Sequence, residues 1–423
     1  MSILQDITQL KVNKNIIFSK LRNEKKYILI KKEKEYYPMF LKEKYIDILY
    51  LIKNKEHINN IKCSMINSDD LQLLIDCNIL VNDADKSKDI SYDCCDKKYI
   101  DELNKLAVIT RTPIMCKIEI TYNCNYKCDY CYVENLKSIF MKYEDLEKII
   151  YKLKINGTNN LFITGGEPFL HPNIYQIIDY CDKIGIILTI QTNGSFINEE
   201  VIKKLYKYNH LKIAISFHSS IEEKFDLFTK VKGSFDRTIK AINYLKKYNM
   251  DFYLKHTVTR ENENDLKKNI KYLEDNDIPF NIYSQILPSI SEYKDTSCYS
   301  ATTESIEWLY KHKYLKYIKG ECSALKNKCW ISPIGDFYPC ELVRDKIGNL
   351  IEDDFEELWN GDKANKVLKS EIYIEPEQCK SCNTKEYCKK CLAYLNYNQW
   401  NLGLNSFCTT AKSVKKIYSN NAI

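Results

Sequence analysis

The sequence lacks long apolar runs. No stretch of about 18 apolar residues occurs, so no membrane-spanning helix is expected. It also lacks a signal peptide, because the opening segment, residues 1–6, has neither a basic region nor an apolar core. We therefore expect the chain in the cytoplasm. A strong excess of one charge is missing too: the net charge is +6 over 423 residues, and interspersed lysines and acids do not indicate a nucleic-acid partner.

Cysteine, in contrast, is abundant. A chain of 423 residues is expected to form two or three domains, and this one carries 18 cysteines. In a small secreted protein such a number would indicate a disulfide scaffold. In a cytosolic chain of this length it indicates metal ligands.

Three cysteines stand at CxxxCxxC spacing, namely Cys124, Cys128 and Cys131. They follow the alternating run 117–121, which predicts a strand that leads into a loop. Three thiolates on one short loop can bind three irons of a cubane cluster and leave the fourth iron open for a small molecule. The alternative is a zinc loop that lacks one ligand, although zinc sites usually pair one CxxC with a second CxxC or with histidines.

The triplet, with Tyr130 before its last cysteine, resembles the signature of the radical S-adenosylmethionine (SAM) family. The resemblance covers roughly residues 114 to 410 and implies a [4Fe-4S] cluster whose open iron binds SAM. It also implies that reductive cleavage of SAM yields a 5′-deoxyadenosyl radical, which abstracts a hydrogen atom from the substrate.

Strand and helix patterns alternate from residue 114, which is typical of a parallel α/β sheet. The predicted strands are 117–121, 161–164, 186–192, 212–217, 252–258 and 280–286, and predicted helices include 143–154 and 235–247. Six such units match the partial (β/α)6 barrel of the radical SAM family, and we place this domain at residues 113–310. Functional residues of such barrels lie at the carboxyl ends of the strands.

Several motifs stand at those strand ends. Gly165, Gly166 and Glu167 match the family's GGE segment, which contacts the methionine amino group, and glycines permit close backbone approach. By resemblance, Asn193 and Ser216 face the polar groups of methionine or ribose. The alternative for the glycine segment is a simple turn, and an isolated Asn or Ser in a loop is often structural.

The segment after Ser216 departs from the family. It reads Phe217-His218-Ser219 where the family often has Leu-Asp-Gly, and the arginine expected soon afterwards is missing near 228–231. His218 is a candidate contact for cofactor or substrate. Its alternative is a structural histidine.

Eight cysteines crowd together after residue 320: Cys322, Cys329, Cys340, Cys379, Cys382, Cys388, Cys391 and Cys408. They resemble the SPASM extension of peptide-modifying radical SAM enzymes, which we place at residues 311–423. The resemblance implies that two auxiliary [4Fe-4S] clusters are present. It assigns the first to Cys322, Cys329, Cys340 and Cys391, and the second to Cys379, Cys382, Cys388 and Cys408. Zinc binding by the CxxC pairs is the alternative.

Glu341 directly follows Cys340. In sulfatase-maturing relatives an aspartate at the equivalent place acts as general base, and a carboxylate beside a cluster could take a substrate proton. The alternative is a surface-exposed glutamate.

Residues 1–85 contain no comparable cysteine cluster. Strand patterns at 26–30 and 36–40, helical patterns near 45–52, 57–65 and 68–75, and a wing strand at 79–81 predict a winged-helix domain. It resembles the leader-recognition domain of enzymes that modify ribosomally made peptides, in which the leader docks as an added strand. The alternatives are a stabilising subdomain or a DNA-binding winged helix, but the third helix has three aspartates and no basic residue. Residues 86–112, with Cys94 and Cys95 expected to be unligated, are predicted to form a polar linker that leads into a helix.

Together these features predict a radical SAM peptide maturase with three [4Fe-4S] clusters and SAM. Its expected partners are a precursor peptide with a leader and a reductant such as flavodoxin or ferredoxin. A thioether cross-link is favoured, while carbon–carbon or carbon–oxygen cross-linking and epimerisation stay open. The rivals are a sulfatase-maturing enzyme and an iron–sulfur electron-transfer or peptide-binding protein without chemistry.

Overall fold

The computed structural model describes most of the chain. The described residues are 10–32, 34–54, 68–82, 97–133, 136–284, 286–287, 289–290, 297–315, 322–370, 375, 377–388, 391 and 404–419. Within them, no helix combines the length and apolar character that a membrane crossing requires.

The strands are β1 Leu10–Val12, β2 Ile16–Lys20, β3 Lys26–Lys32, β4 Glu35–Met39, β5 Leu80–Asn82, β6 Met115–Thr121, β7 Asn160–Gly165, β8 Ile187–Thr192, β9 Leu211–Phe217, β10 Phe252–Thr257, β11 Phe280–Tyr283, β12 Lys328–Ile331, β13 Asp336–Tyr338 and β14 Gly348–Asn349. The α-helices are α1 Glu43–Asn54, α2 Ser68–Asp76, α3 Lys97–Ile109, α4 Tyr143–Ile155, α5 Ile174–Lys183, α6 Glu199–Leu205, α7 Glu222–Thr229, α8 Ser234–Lys247, α9 Leu266–Asp275, α10 Thr303–Lys311, α11 Phe355–Asn360, α12 Asp362–Leu368, α13 Glu377–Lys380 and α14 Leu404–Ser419.

Strands β6 to β11 form a parallel sheet in chain order, as the partial-barrel prediction requires. All six predicted strands are present with shifts of a few residues. Their apolar residues, such as Ile118 and Ile120 on β6, join the core beneath the surrounding helices. Because side chains alternate along a strand, Lys117 and Glu119 on the same strand face the opposite, inner side of the barrel.

The C-terminal domain extends this sheet. β12 pairs in parallel with β6, and β13 and β14 add antiparallel strands beyond it, which gives a nine-stranded sheet. The turn between β12 and β13 ends at Gly335, directly before the first residue of β13. Residues 311–423 were predicted to form a C-terminal cysteine-rich domain, and backbone hydrogen bonds join this part of the chain directly to the first barrel strand.

The N-terminal module contains the three-stranded antiparallel sheet β2-β3-β4 and the separate pair β1–β5. The predicted strands at 26–30 and 36–40, the first and third helices and the wing strand are confirmed. The sequence analysis missed β1 and β2, and the helix predicted near 57–65 lies outside the described residues. One sheet face packs against α1 and α2 through a cluster that includes Phe18, Ile28, Ile30, Leu49 and Leu74.

The other face of this sheet packs against α3 and the barrel. Leu103 and Ala107 of α3 join Tyr27 and Leu29 in a cluster that also contains Ile187 of β8. Helix α3 therefore occupies much of the predicted linker and shares a core with the module, so a boundary at residue 85 cuts through this packing. Cys94 and Cys95 lie outside the described residues.

Replacing Leu103 with alanine should loosen the module, because this side chain is only 6% exposed and its removal leaves a cavity. We expect the free energy of unfolding of the N-terminal region to fall by about 2–5 kcal/mol in the full-length protein. Anaerobic urea unfolding measures this loss when limited proteolysis of residues 10–82 serves as the readout. Ile109→Ala on the same helix is the control, because Ile109 is 77% exposed and its loss should change stability by less than about 0.5 kcal/mol. Equal unfolding midpoints for the two variants would contradict the shared core.

Candidate functional site

The segment 124–131, here called the cysteine loop, starts where β6 ends. Its base is fixed by the Gly165-Gly166 turn, since the Gly166 N–H donates to Thr121 O at 2.8 Å and the Glu167 N–H donates to Asn123 O at 2.7 Å. A Cβ on either glycine would lie 2.0 Å from the carbonyl oxygen of Thr121 or Asn123. Glycine is therefore required here by the backbone that carries the cysteine loop.

Glu167 is fully buried and joins the ends of β7 and β8. Its carboxylate accepts hydrogen bonds from the Phe169 N–H at 3.0 Å, the Thr192 hydroxyl at 2.7 Å and the Asn193 N–H at 2.8 Å. Burial raises the pKa of Glu167 to about 7, although these donors oppose the rise. The Glu167 side chain thus positions Asn193. Contact of Glu167 with a cofactor stays a prediction.

The three cysteines of the loop lie close together. After burial, the neighbouring thiols of Cys131 and Cys124 are the largest causes that raise the pKa of Cys128, and the Cys131 N–H donates to Cys128 O at 3.1 Å. Cys124 accepts from the Tyr126 N–H at 3.4 Å. Three thiols on one loop, near enough to affect each other's ionisation, fit the ligand set of a cluster with one open iron. Among the residues that the structure describes, no three His, Cys, Asp or Glu side chains are arranged to hold a single metal ion.

Polar contacts tie the cysteine loop to the neighbouring strand ends. The Asn193 side-chain amide donates to Asn125 Oδ1 at 2.8 Å and approaches Cys124 Sγ at 3.9 Å. On the other side, Asp129 pairs with Lys230 at 2.7 Å. Lys230 follows α7 in the region where the family's arginine is missing, so a basic residue still contacts the loop from that position.

His218 and Tyr130 form an aromatic wall behind the cysteine loop. The Tyr130 hydroxyl lies 3.4 Å from His218 Nδ1, and the imidazole stacks on Phe228 with ring centroids 4.3 Å apart. Burial, with a smaller effect of His256, lowers the pKa of His218 to about 3, so the ring is neutral at physiological pH. Ser216 lies on the inner face of β9, two residues before His218. The structure thus brings these three predicted residues to the carboxyl ends of the strands.

A set of charged residues that the sequence analysis did not single out lines the barrel interior. Buried Glu119 makes a bidentate ion pair with Arg344, at 3.0 and 3.2 Å. Lys117 Nζ lies 4.5 Å from the centre of the Trp330 ring, and Lys255 donates to Gln191 Oε1 at 3.2 Å. The sequence did contain a signal for these residues. Charged residues occupy alternate positions of strands whose other positions are apolar, which places the charges together on one face of the sheet.

Glu341 belongs to this interior and is not the surface-exposed residue of the alternative interpretation. It is half-buried. Burial favours its neutral form, but Lys117, Lys328 and Arg344 outweigh that effect and lower the pKa of Glu341 to about 2. The carboxylate is therefore ionised at neutral pH and faces the same space as the inner-wall lysines.

The structure gathers three of the four cysteines assigned to the first auxiliary cluster. Cys322, Cys340 and Cys391 pack in one cluster. Burial lowers the pKa of Lys328, but Glu341 and these three thiols outweigh that effect and raise it. Cys329 is not with them. As the residue after Lys328 on β12, it points to the other face of the sheet, where it is in register with Cys116 of β6 and raises the pKa of that buried thiol after desolvation. The assignment of Cys329 to this ligand set is therefore corrected.

The second set is gathered in part. Cys379, Cys382 and Cys388 lie on one short segment, where the Cys382 N–H donates to Cys379 O at 3.3 Å and Cys382 Sγ contacts the Thr384 hydroxyl at 3.2 Å. Helix α14, which contains Cys408, contacts this segment, and Lys415 donates to Asn383 O at 3.1 Å. The Cys408 side chain itself lies outside the described set.

Comparisons with known proteins identify two domains in the chain. Residues 118–273 match the model of the radical SAM superfamily, and residues 322–383 match the SPASM iron–sulfur cluster-binding domain. These two matches cover the cysteine loop and the sheet extension that carries the first auxiliary set.

Curated relatives fall into several activities. The chain is 26% identical over 323 residues to the subtilosin biosynthesis protein AlbA of Bacillus subtilis, covering 71% of this chain and 72% of AlbA. It is 21% identical to the AdoMet-dependent heme synthase of Methanosarcina barkeri, covering 68% and 93%. It is 26% identical to a cysteine-type anaerobic sulfatase-maturating enzyme of Clostridium novyi, covering 63% and 84%.

Among solved structures, SuiB of Streptococcus suis bound to its precursor peptide SuiA superposes with a TM-score of 0.61 at 18% identity. The match covers 93% of this chain and all of SuiB, so it extends beyond the barrel into the N-terminal module. At this identity it supports the fold, including the parallel sheet with its C-terminal extension.

Cys329 and Cys340 provide a direct test of the corrected ligand set. Cys340→Ala should lose about four irons after anaerobic reconstitution, because it removes a ligand from one four-iron cluster. Cys329→Ala should keep the wild-type iron content, since its thiol lies on the opposite face of the sheet. Iron analysis and Mössbauer spectra measure both, and Cys116→Ala is the matched control for a buried thiol. Iron loss in Cys329→Ala equal to that in Cys340→Ala would restore Cys329 as a ligand.

Proposed function

We propose that this chain is a radical SAM enzyme with a C-terminal SPASM domain and that it modifies a ribosomally made precursor peptide, with a thioether cross-link as the favoured product. The observation that carries the proposal is the set of charged residues that lines the barrel interior. It lies between the cysteine loop and the first auxiliary set, and this is the place where a peptide side chain would have to meet both. The likeness to AlbA and to the SuiB–SuiA complex supports a peptide as substrate.

Different residues of the chain would bind the cluster, position the cysteine loop and exclude water. Cys124, Cys128 and Cys131 would hold the SAM-binding cluster, which with SAM supplies a 5′-deoxyadenosyl radical when bound. The Gly165-Gly166 turn and Asn193 would fix the cysteine loop, and the aromatic wall of Tyr130 and His218 would exclude water beside it. SAM itself would contact Gly165, Gly166, Glu167, Asn193 and Ser216, as the family resemblance implies.

A thioether forms when a cysteine S–H and a substrate C–H are replaced by one S–C bond. The hydrogen atom leaves the carbon to the adenosyl radical, the thiol gives up a proton, and one electron remains. The auxiliary cysteines, among them Cys322, Cys340 and Cys391, would hold a cluster able to supply an acceptor for that electron, and a reductant such as flavodoxin or ferredoxin would be the external partner. Glu341 would accept the proton as general base. Lys117, Lys328 and Arg344 keep Glu341 ionised and therefore able to accept a proton. Because they lower its pKa, they also reduce the driving force for proton transfer to it.

The N-terminal module would bind the leader of the precursor. Strand β4 is an edge of its sheet in the described structure, pairing only with β3. An extended peptide can add to such an edge by backbone hydrogen bonds. Tyr37 on β4 is paired with Ile30 and so lies on the sheet face that carries α1 and α2, where it would contact a side chain of the leader.

Maturation of a sulfatase is the second candidate, favoured by the relative in Clostridium novyi. It shares the cysteine loop and the auxiliary domain. The two candidates differ in substrate, because only the first requires a leader and only the second would modify a sulfatase sequence.

Anaerobic reaction with SAM and dithionite tests the proposed activity. The wild-type enzyme should release 5′-deoxyadenosine and remove the mass of two hydrogen atoms from a short peptide encoded beside its gene. The triple variant Cys124→Ala, Cys128→Ala, Cys131→Ala should release none while retaining iron in the auxiliary domain. Liquid chromatography with mass spectrometry measures both products. Wild-type cleavage of SAM by the triple variant would exclude the assigned cluster site, and modification of a sulfatase peptide alone would favour the second candidate.

Tyr37 tests leader binding without removing the module. Tyr37→Ser should weaken binding of the labelled leader peptide about tenfold, the usual loss when an aromatic contact is truncated at an interface. Fluorescence polarisation with the full-length protein measures the affinity. Tyr206→Ser is the control, because Tyr206 is 61% exposed on the barrel. Unchanged leader affinity in Tyr37→Ser would argue against docking at β4.

A further inference from the structure

Two lysines on the inner wall lack a carboxylate partner among the described residues. No described acidic oxygen lies within ion-pair distance of Lys117 or Lys255, whereas many surface lysines have such a partner. Lys117 lies over the Trp330 ring, and Lys255 has the neutral side chain of Gln191 as its hydrogen-bond acceptor. Both side chains are half-buried. A positive charge held inside a protein in this way favours an anionic ligand.

Trp330 provides a second observation that points to a ligand. Its side chain is 2% exposed, and its indole Nε1–H has no hydrogen-bond partner in the described structure. It lies on the inner face of β12, in register with Lys117. A buried donor without an acceptor costs free energy unless a ligand or water satisfies it.

Among the described residues of this wall, basic side chains outnumber carboxylates. Glu119 is occupied by Arg344 in a bidentate pair, which leaves Glu341 as the carboxylate facing Lys117, Lys255 and Lys328. Burial, together with repulsion from Lys117, lowers the pKa of Lys255 to about 7. An added carboxylate would oppose both effects.

We propose that Lys117, Lys255 and the Trp330 indole bind a carboxylate of the substrate peptide, either an Asp or Glu side chain or the C-terminal carboxylate. This inference rests on the proposed function and names the group that the barrel selects. Lys117 precedes the end of β6 by four residues, roughly 13 Å, which places it deeper in the barrel than the cysteine loop. Lys255 lies nearer the proposed SAM site, because it is in register with Ser216. The peptide acid would therefore lie between the two lysines, and the carboxylate of SAM is the competing ligand that the test must separate from it.

Protection of lysines from reductive methylation tests this binding without knowledge of the precursor. The reconstituted wild-type enzyme is labelled in the presence of N-acetylglutamic α-amide or N-acetylglycine, which represent the two carboxylate sources. Their neutral counterparts are N-acetylglutamine amide and N-acetylglycinamide. Peptide mapping should show labelling of Lys117 and Lys255 slowed about tenfold at probe concentrations about ten times the dissociation constant. The acid that protects identifies the source.

Lys212 is the internal control, because it pairs with Asp251 at 3.5 Å and its labelling should not respond. Equal protection by acids and amides, or none, would overturn the proposal even if the enzyme modifies its peptide.

With an active precursor, Lys117→Met and Lys255→Met should raise KM for the acidic peptide about tenfold, the loss of one charge-assisted hydrogen bond. The same variants should leave KM unchanged for the peptide with that acid replaced by its amide. A raised KM for SAM instead would assign the lysines to the cofactor. Protection by an acid in an enzyme that modifies no peptide would uphold the binding site and reject the proposed function.

Discussion

The ion pair between Glu119 and Arg344 is the interaction on which the interior of this protein depends. It joins the first barrel strand to the segment just after Cys340, and the two residues are 225 positions apart in the chain. Both side chains are buried. Removing one partner of such a pair typically costs about 3–5 kcal/mol, because the other charge is left without compensation. The pair therefore holds the auxiliary cysteines at one position relative to the barrel, and the lysines and Glu341 keep their places around it.

Close backbone contacts fix the cysteine loop. Its base touches the glycine turn so closely that no side chain fits between them. Glu167 then locks the next strand end, which places Asn193 beside Cys124. The candidate site is thus built from backbone contacts first, and the side chains that face a cofactor are positioned by those contacts.

Much of this arrangement follows from the sequence. Spacing alone located the cysteine loop, and alternation located the six barrel strands, because these signals are local. Cys329 was assigned to the first auxiliary set by family resemblance, which does not tell which face of a sheet a side chain occupies. That face is set by the pairing of β12 with β6, a contact between distant parts of the chain. Lys117 and Lys255 were overlooked for a related reason: a charged residue on a strand indicates solvent unless the sheet closes around it. The short strands β1 and β2 carried too little alternation to be recognised, and β1 depends on its distant partner β5.

The parallel pairing of β6 with β12 also has a consequence for biosynthesis. As the ribosome releases the chain, β6 emerges long before β12, so one edge of the growing barrel stays open until the last quarter of the protein has been made. Open edges are sites of aggregation, and pairings between distant segments form slowly. Cys340 and Cys391 of the first auxiliary set are made only after β12. Recovery of folded protein from a heterologous host is therefore expected to depend on the speed of translation through the last quarter of the chain.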